Sequence, residues 1–233
     1  MKHEERRGKL FKDGSVPNWW GMHCADLLIA KPAHMLFRMK RVGVENVPDG
    51  ACIMAGNHIS YVDPIALWAS MPQGTIHFVA KSELYRNKAL AWFLDSVGAV
   101  PVARGAADRA MIKWTSDYLA GGESVAIFPE GTRGREREDA EELNQGQEGA
   151  AFLSLRTGVP IVPLGIAGTD KIMPKGSKII HFPQVVLRFG KPIRPSDFEG
   201  SRKEKMTAMT AVLMKEIARL RDEARALEKE IEK

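Results

Sequence analysis

Two short stretches of this 233-residue chain set chemically capable side chains directly after apolar runs. The first is Asn57-His58-Ile59-Ser60-Tyr61-Val62-Asp63, which follows Ala51-Cys52-Ile53-Met54-Ala55. An imidazole titrates near neutrality and can take a proton from a hydroxyl, while a carboxylate can hold the other ring nitrogen and stabilise the imidazolium. On a continuous helix, side chains that face each other are three or four residues apart, so His58 and Asp63 meet only if the chain turns between them. Pro64 supplies the turn. It suits the first position of a helix, with Asp63 as N-cap, and leaves His58 in a strand-to-helix loop at the strand end where α/β sites gather. A purely structural reading stands beside this one: Asp63 caps the helix and His58 satisfies buried backbone. Ser60 adds a hydroxyl nucleophile as a further candidate, without a nucleophile-elbow context.

The second stretch is Phe128-Pro129-Glu130-Gly131-Thr132-Arg133, after Ser124-Val125-Ala126-Ile127. Glycine lets the backbone approach an anion, and Thr132 and Arg133 can donate to phosphate oxygens. Read alone it is also an ordinary turn with a solvated arginine. Arg135 to Glu142 mixes both charges and reads as a solvated loop. Arg104, at the end of Gly98-Ala99-Val100-Pro101-Val102-Ala103, is either a surface arginine or a member of the anion site. Neither a Walker loop nor a G-x-G-x-x-G turn is present, so nucleotide hydrolysis has no support. A base-and-carboxylate turn plus a phosphate-binding turn implies transfer chemistry on a phosphorylated substrate.

The elements that must position these turns follow from periodicity. Residues 1–16 are polar and read as a flexible terminus. Residues 19–40 carry Trp19, Trp20, Leu27, Leu28, Ile29, Leu36 and Phe37 among basic residues, and Pro32 divides them into two short amphipathic helices. Strands are expected at 42–44, 51–55, 76–80, 99–102, 125–128, 161–166 and 185–189. Pro163 puts the sixth at a sheet edge or a bulge. Helices are expected at 64–70, 89–97, 106–120, 147–157 and 201–232. The last repeats Met206, Met209, Val212, Leu213, Ile217 and Leu220 at helical spacing. The result is one α/β domain: a mixed, largely parallel sheet flanked by helices, with an amphipathic N-terminal segment and a long C-terminal helix.

Composition narrows the partner. A formal net charge of +5 favours an anionic one, and 44% apolar residues suffice for a core. Cys24 and Cys52 read as buried thiols of a reducing compartment rather than a disulfide, and alone they make no metal site. The first residues lack the apolar core of a signal peptide, and no run is long enough to span a bilayer, so the chain is expected to be soluble or to lie on a membrane.

Taken together the blocks resemble a known family. Asn57-His58 with Asp63, Gly98 to Arg104, Phe128 to Arg133 and Val159-Pro160-Ile161-Val162-Pro163 occur in the order of the glycerolipid acyltransferases, in particular the 1-acyl-glycerol-3-phosphate (lysophosphatidic acid) acyltransferases. Arg41 to Pro48 and Ala80-Lys81-Ser82-Glu83-Leu84 also look like that family. The likeness spans roughly residues 38–195. One departure is Asn144-Gln145-Gly146-Gln147-Glu148-Gly149, where many members carry Lys or Arg before the glycine. The resemblance implies that His58 is the base and Asp63 its partner. It implies that Arg104, Glu130, Gly131, Thr132 and Arg133 hold the acceptor phosphate, with Asn57, Ser60 and Lys81 as supporting candidates. It implies an acyl-CoA or acyl carrier protein thioester as co-substrate, no bound cofactor and no metal. Residues 17–233 then form a single acyltransferase domain with 17–40 as a membrane-facing preface, on the inner, cytoplasmic face of an anionic membrane. Trp19 and Trp20 suit an interface, or pack on the domain as core. Glycerol 3-phosphate, another lysophospholipid or a glycolipid stand as alternative acceptors. An esterase or thioesterase, and a noncatalytic anionic-lipid-binding protein, stand as other classes. No nucleic-acid motif is present.

Overall fold

The computed structural model describes residues 31–71, 76–88, 91, 94, 99–102, 109–129, 148–174 and 179–231, together with Leu27. Among the described residues seven strands form one sheet in the order β1-β7-β6-β2-β5-β3-β4. They are β1 (Lys40–Val42), β2 (Ile53–Gly56), β3 (Ile76–Lys81), β4 (Val100–Val102), β5 (Ser124–Ile127), β6 (Ile161–Ala167) and β7 (Val186–Phe189). Strands β6, β2, β5, β3 and β4 run parallel. β7 opposes β6, and β1 follows β7. Among the described residues the α-helices with defined bounds are α1 (Lys31–Leu36), α2 (Asp63–Ser70), α3 (Arg109–Ala120), α4 (Gly149–Thr157), the single turn α5 (Thr169–Ile172) and α6 (Arg202–Ile231). The mixed, largely parallel α/β architecture expected from the alternating pattern is the one observed.

Alternation along the strands divides the core in two. Met54, Phe78, Ala126, Val162, Leu164 and Ile166 face α2 with Ala66 and Leu67. Ile53, Ala55, Val125 and Ile161 face the other way, onto α3, α4 and α6. Both faces of the parallel strands are therefore covered, which is why they read as continuous apolar runs. Cys52 is buried and free, and burial pushes its thiol up, partly offset by a hydrogen bond with Ser124. His77 is likewise a core residue, bonded to Glu123 and stacked on Tyr118 at the opposite sheet edge from His58.

Several boundaries differ from the sequence expectation. The first strand is 40–42, not 42–44. The chain leaves the sheet at Gly43 into a 3₁₀ turn, where the Asn46 amide donates to the Phe189 carbonyl at 3.1 Å. β6 is a central strand, so of the edge or bulge expected it is the bulge that accommodates Pro163. Its missing N–H falls where the partner strand slips register. Leu164 pairs with Phe189 and Ile161 with Ile193, so one extra residue bulges out on the β7 side. On α6 Val212 is exposed, and the buried stripe continues beyond Leu220 through Ala224 to Glu228. That helix lies along β6 and β7, against which it makes its main contacts. A Cβ on Gly165 would stand 2.2 Å from the Leu220 carbonyl carbon, so only glycine admits the helix backbone at that distance. The expected helix at 89–97 falls largely outside the described residues, and so does the segment before α1 with Trp19, Trp20 and Cys24.

Candidate active site

Because β2, β3, β4, β5 and β6 are parallel, their C-terminal ends share one sheet edge. The chain after β2 turns there through residues 57–62 into α2. Asn57 ties the turn down. Its side-chain nitrogen donates to the Ile166 carbonyl at 3.0 Å, and its oxygen accepts the Ile166 N–H at 2.7 Å. A buried amide thus continues the β2–β6 ladder by one step after the main chain has left it.

His58 and Asp63 do meet. His58 Nδ1 lies 2.8 Å from Asp63 Oδ2. The same oxygen accepts the backbone N–H groups of Ile59 and Ser60, both at 2.7 Å. Asp63 was expected to cap α2, and it does not. Val62 holds the N-cap position and the helix end has no side-chain cap, because the carboxylate is folded back into the turn. Pro64 at the helix start needs no N–H partner, which makes that arrangement inexpensive. Ser60 belongs to the same turn: its hydroxyl accepts the Val62 N–H at 3.3 Å.

Asp63 is fully buried. Its other oxygen, Oδ1, accepts the hydroxyl of Thr169 at 2.5 Å. A buried carboxylate requires such donors, and an ionised one has about four lone-pair sites to fill. Asp63 accepts at both oxygens, so it is an acceptor toward His58, whose Nδ1 carries the proton. Nε2 is then the nitrogen whose lone pair can take one. The His58 side chain keeps 20% of its surface exposed. Phe128 stacks on it with ring centroids 4.4 Å apart and an interplanar angle of 20°.

Phe128 and Pro129 immediately precede the expected phosphate turn, so the end of β5 packs against the His58 ring. Glu130, Gly131, Thr132 and Arg133 themselves lie outside the described residues, as does Arg104. Lys81 closes β3 at the same edge. Among the described residues no cluster of three or more His, Cys, Asp or Glu side chains is arranged to hold a metal ion.

Two residues of this constellation escape sequence reasoning. Phe128 opens the second stretch and closes the expected strand, but no sequence signal points to a role against His58. Thr169 lies 106 residues from Asp63, and its sole signal is the Gly168-Thr169-Asp170 turn after a strand end.

Known proteins resemble this chain in sequence and in fold. The sequence model of the acyltransferase family matches residues 38–167. A chloroplastic 1-acyl-sn-glycerol-3-phosphate acyltransferase of Brassica napus is 33% identical over 156 residues, 65% of this chain and 44% of that protein. The 1-acyl-sn-glycerol-3-phosphate acyltransferase of Bacillus subtilis is 32% identical over 178 residues, 76% of this chain and 84% of that one. The chain thus spans less than half of the plant relative and most of the bacterial one. Among solved structures, the 1-acyl-sn-glycerophosphate acyltransferase PlsC of Thermotoga maritima superposes with a TM-score of 0.65 at 26% identity, covering 85% of this chain and 80% of that one.

Proposed function

The chain belongs to the acyltransferase family, and from that premise we propose that it moves a fatty acyl group from a thioester to the hydroxyl of a lysophosphatidic acid-type acceptor, giving phosphatidic acid. One observation carries the reading: His58 Nδ1 is held by a buried carboxylate that is itself held at both oxygens. A glycerol hydroxyl is a poor nucleophile until a base removes its proton during attack. The hydroxyl oxygen attacks the thioester carbonyl as Nε2 takes the proton. The C–S bond then breaks, and the imidazolium returns the proton to the leaving thiolate. Transfer is direct and needs no acyl-enzyme. Arg104 and the Glu130–Arg133 turn hold the acceptor phosphate, whose binding energy orients the hydroxyl. The donor is acyl-CoA or acyl carrier protein.

Purified protein supplied with both thioesters and a panel of acceptors tests this. Acylation of the phosphorylated lysolipid above glycerol 3-phosphate, other lysophospholipids and glycolipids is the expected result. Thioester cleavage that is indifferent to acceptor would establish a thioesterase instead.

The acceptor resides in a bilayer, and the outer surface of the site edge suits one. β1 and β7 run opposite to β2, so the segments entering them reach the edge where His58 sits. Those segments expose Met35 (75%), Leu36, Met173, Ile179 (68%), Ile180 and Phe182, and Phe37 stacks on Phe182 to join the two groups. Arg38, Lys40 and Arg41 follow in sequence. Among the described residues no helix is long and apolar enough to cross a membrane. We therefore read residues 17–233 as one acyltransferase domain, peripheral on the inner, cytoplasmic face of an anionic membrane, with residues 17–40 as its membrane-facing preface. Replacing Ile179, Ile180 and Phe182 together by Ser should weaken binding to anionic liposomes at least about tenfold, since each apolar side chain withdrawn from water is worth of order 1.5 kcal/mol. Turnover of a water-soluble short-chain acceptor should be unchanged. Undiminished liposome binding would remove this surface from the membrane contact.

A further inference from the structure

The four contacts of Asp63 are unequal in origin. Three of them, from His58, Ile59 and Ser60, come from one loop and crowd a single oxygen. Among the described residues the one donor to the other oxygen is Thr169, which arrives from β6 across the sheet. A carboxylate gripped at one oxygen alone can rotate about its Cβ–Cγ bond and sweep the imidazole with it. Gripped at both, it is fixed in plane.

Thr169 is itself held from behind. It opens the single turn α5 directly after Gly168, whose φ of 86° is left-handed. A Cβ on Gly168 would stand 2.1 Å from the Gln184 carbonyl oxygen and 3.0 Å from Glu228 Oε1. Glu228 is buried near the end of α6, and Lys171 of the same turn reaches it at 2.9 Å. The long helix therefore presses the Thr169 turn against the sheet edge. Thr169 is fully buried too, so its hydroxyl has no role on the surface.

The geometry assigns Thr169 as a positioning residue: its hydroxyl locks the carboxylate that aims the His58 ring. The assignment rests on the acyl-transfer reading for its kinetic consequence, but its effect on the ring holds in the free protein whatever the reaction. Groups that orient a working side chain through its partner are worth about 10- to 100-fold, as with the outer partners of metal-bound histidines. Thr169→Val keeps the shape and deletes the donor. It should lower kcat on that scale and leave KM for acceptor and thioester unchanged. It should also displace the titration midpoint of the His58 imidazole, followed by NMR in the absence of substrate. Thr169→Ser keeps the donor and should retain wild-type kcat and the wild-type His58 titration.

An unchanged kcat and titration in a folded Thr169→Val protein would overturn the assignment, as would a Thr169→Ser protein as impaired as a deletion of the donor. Should Thr169→Val not fold, the Ser variant alone decides. If acyl transfer is absent altogether but the His58 titration responds as stated, the positioning role stands and the proposed reaction falls.

Discussion

His58→Ala is expected to lower the acyl-transfer rate at least about 10²-fold, the scale of general-base loss, with the fold intact. The second half of that expectation comes from the contacts of Asp63. With the imidazole removed, the buried carboxylate keeps the N–H groups of Ile59 and Ser60 and the Thr169 hydroxyl. No buried charge is left without donors, and the ring being removed is itself part-exposed. The thermal midpoint should therefore move little while turnover collapses. Single-turnover rates and a melting curve on the same sample check both parts. A variant that acylates at the wild-type rate would sink the general-base assignment.

Asp63→Asn should separate charge from structure. Three donors converge on Oδ2, so the amide oxygen must take that place and its NH₂ must face Thr169. The Thr169 hydroxyl can reverse and accept that N–H, since a hydroxyl both donates and accepts. The turn and the Nδ1–H tautomer then survive, and what disappears is the negative charge beside the imidazolium. A loss of about 10²-fold in kcat is expected, smaller than the ~10⁴ seen in a serine-protease triad where the same exchange also inverts the tautomer. Asp63→Ala is a different case. It strands two backbone N–H groups and a buried hydroxyl, at about 1–3 kcal/mol each, and should unfold the site rather than merely silence it. An Asp63→Asn protein with wild-type turnover would show that the carboxylate serves the fold and not the reaction.

What could be read from the sequence divides along physical lines. Local rules worked where the determinant is local. Pro64 announced the turn that brings His58 to Asp63, and the apolar runs placed β2, β5 and β6. Local rules failed where a distant partner decides. Asp63 has the residue type and the position of a helix cap, yet the loop's own N–H groups outbid the helix for it. Pro163 left an edge and a bulge both open for β6, and only the pairing with the β7 side decides for a one-residue bulge that absorbs the missing donor. The buried charge of Glu228 breaks the apolar periodicity of α6, so the stripe read from sequence stopped at Leu220, short of the contact that reaches Lys171. Thr169 offers only the turn after a strand end, because its role exists only once β6 lies beside β2.

That dependence on β6 sets an order of events during folding. His58 and Asp63 are five residues apart and can approach as soon as their turn forms. The bonds that immobilise them span 109 residues from Asn57 to Ile166 and 106 from Thr169 to Asp63. β1 waits longer still, since Lys40 pairs with Val186. Closing loops of that length is slow, and parallel strands held by such contacts assemble late. A growing chain thus carries His58 and Asp63 early but gains a rigid pair only after most of the sheet has been synthesised and paired. The interval before β6 docks leaves β2 with an open edge, which is when this sequence most needs protection from other chains.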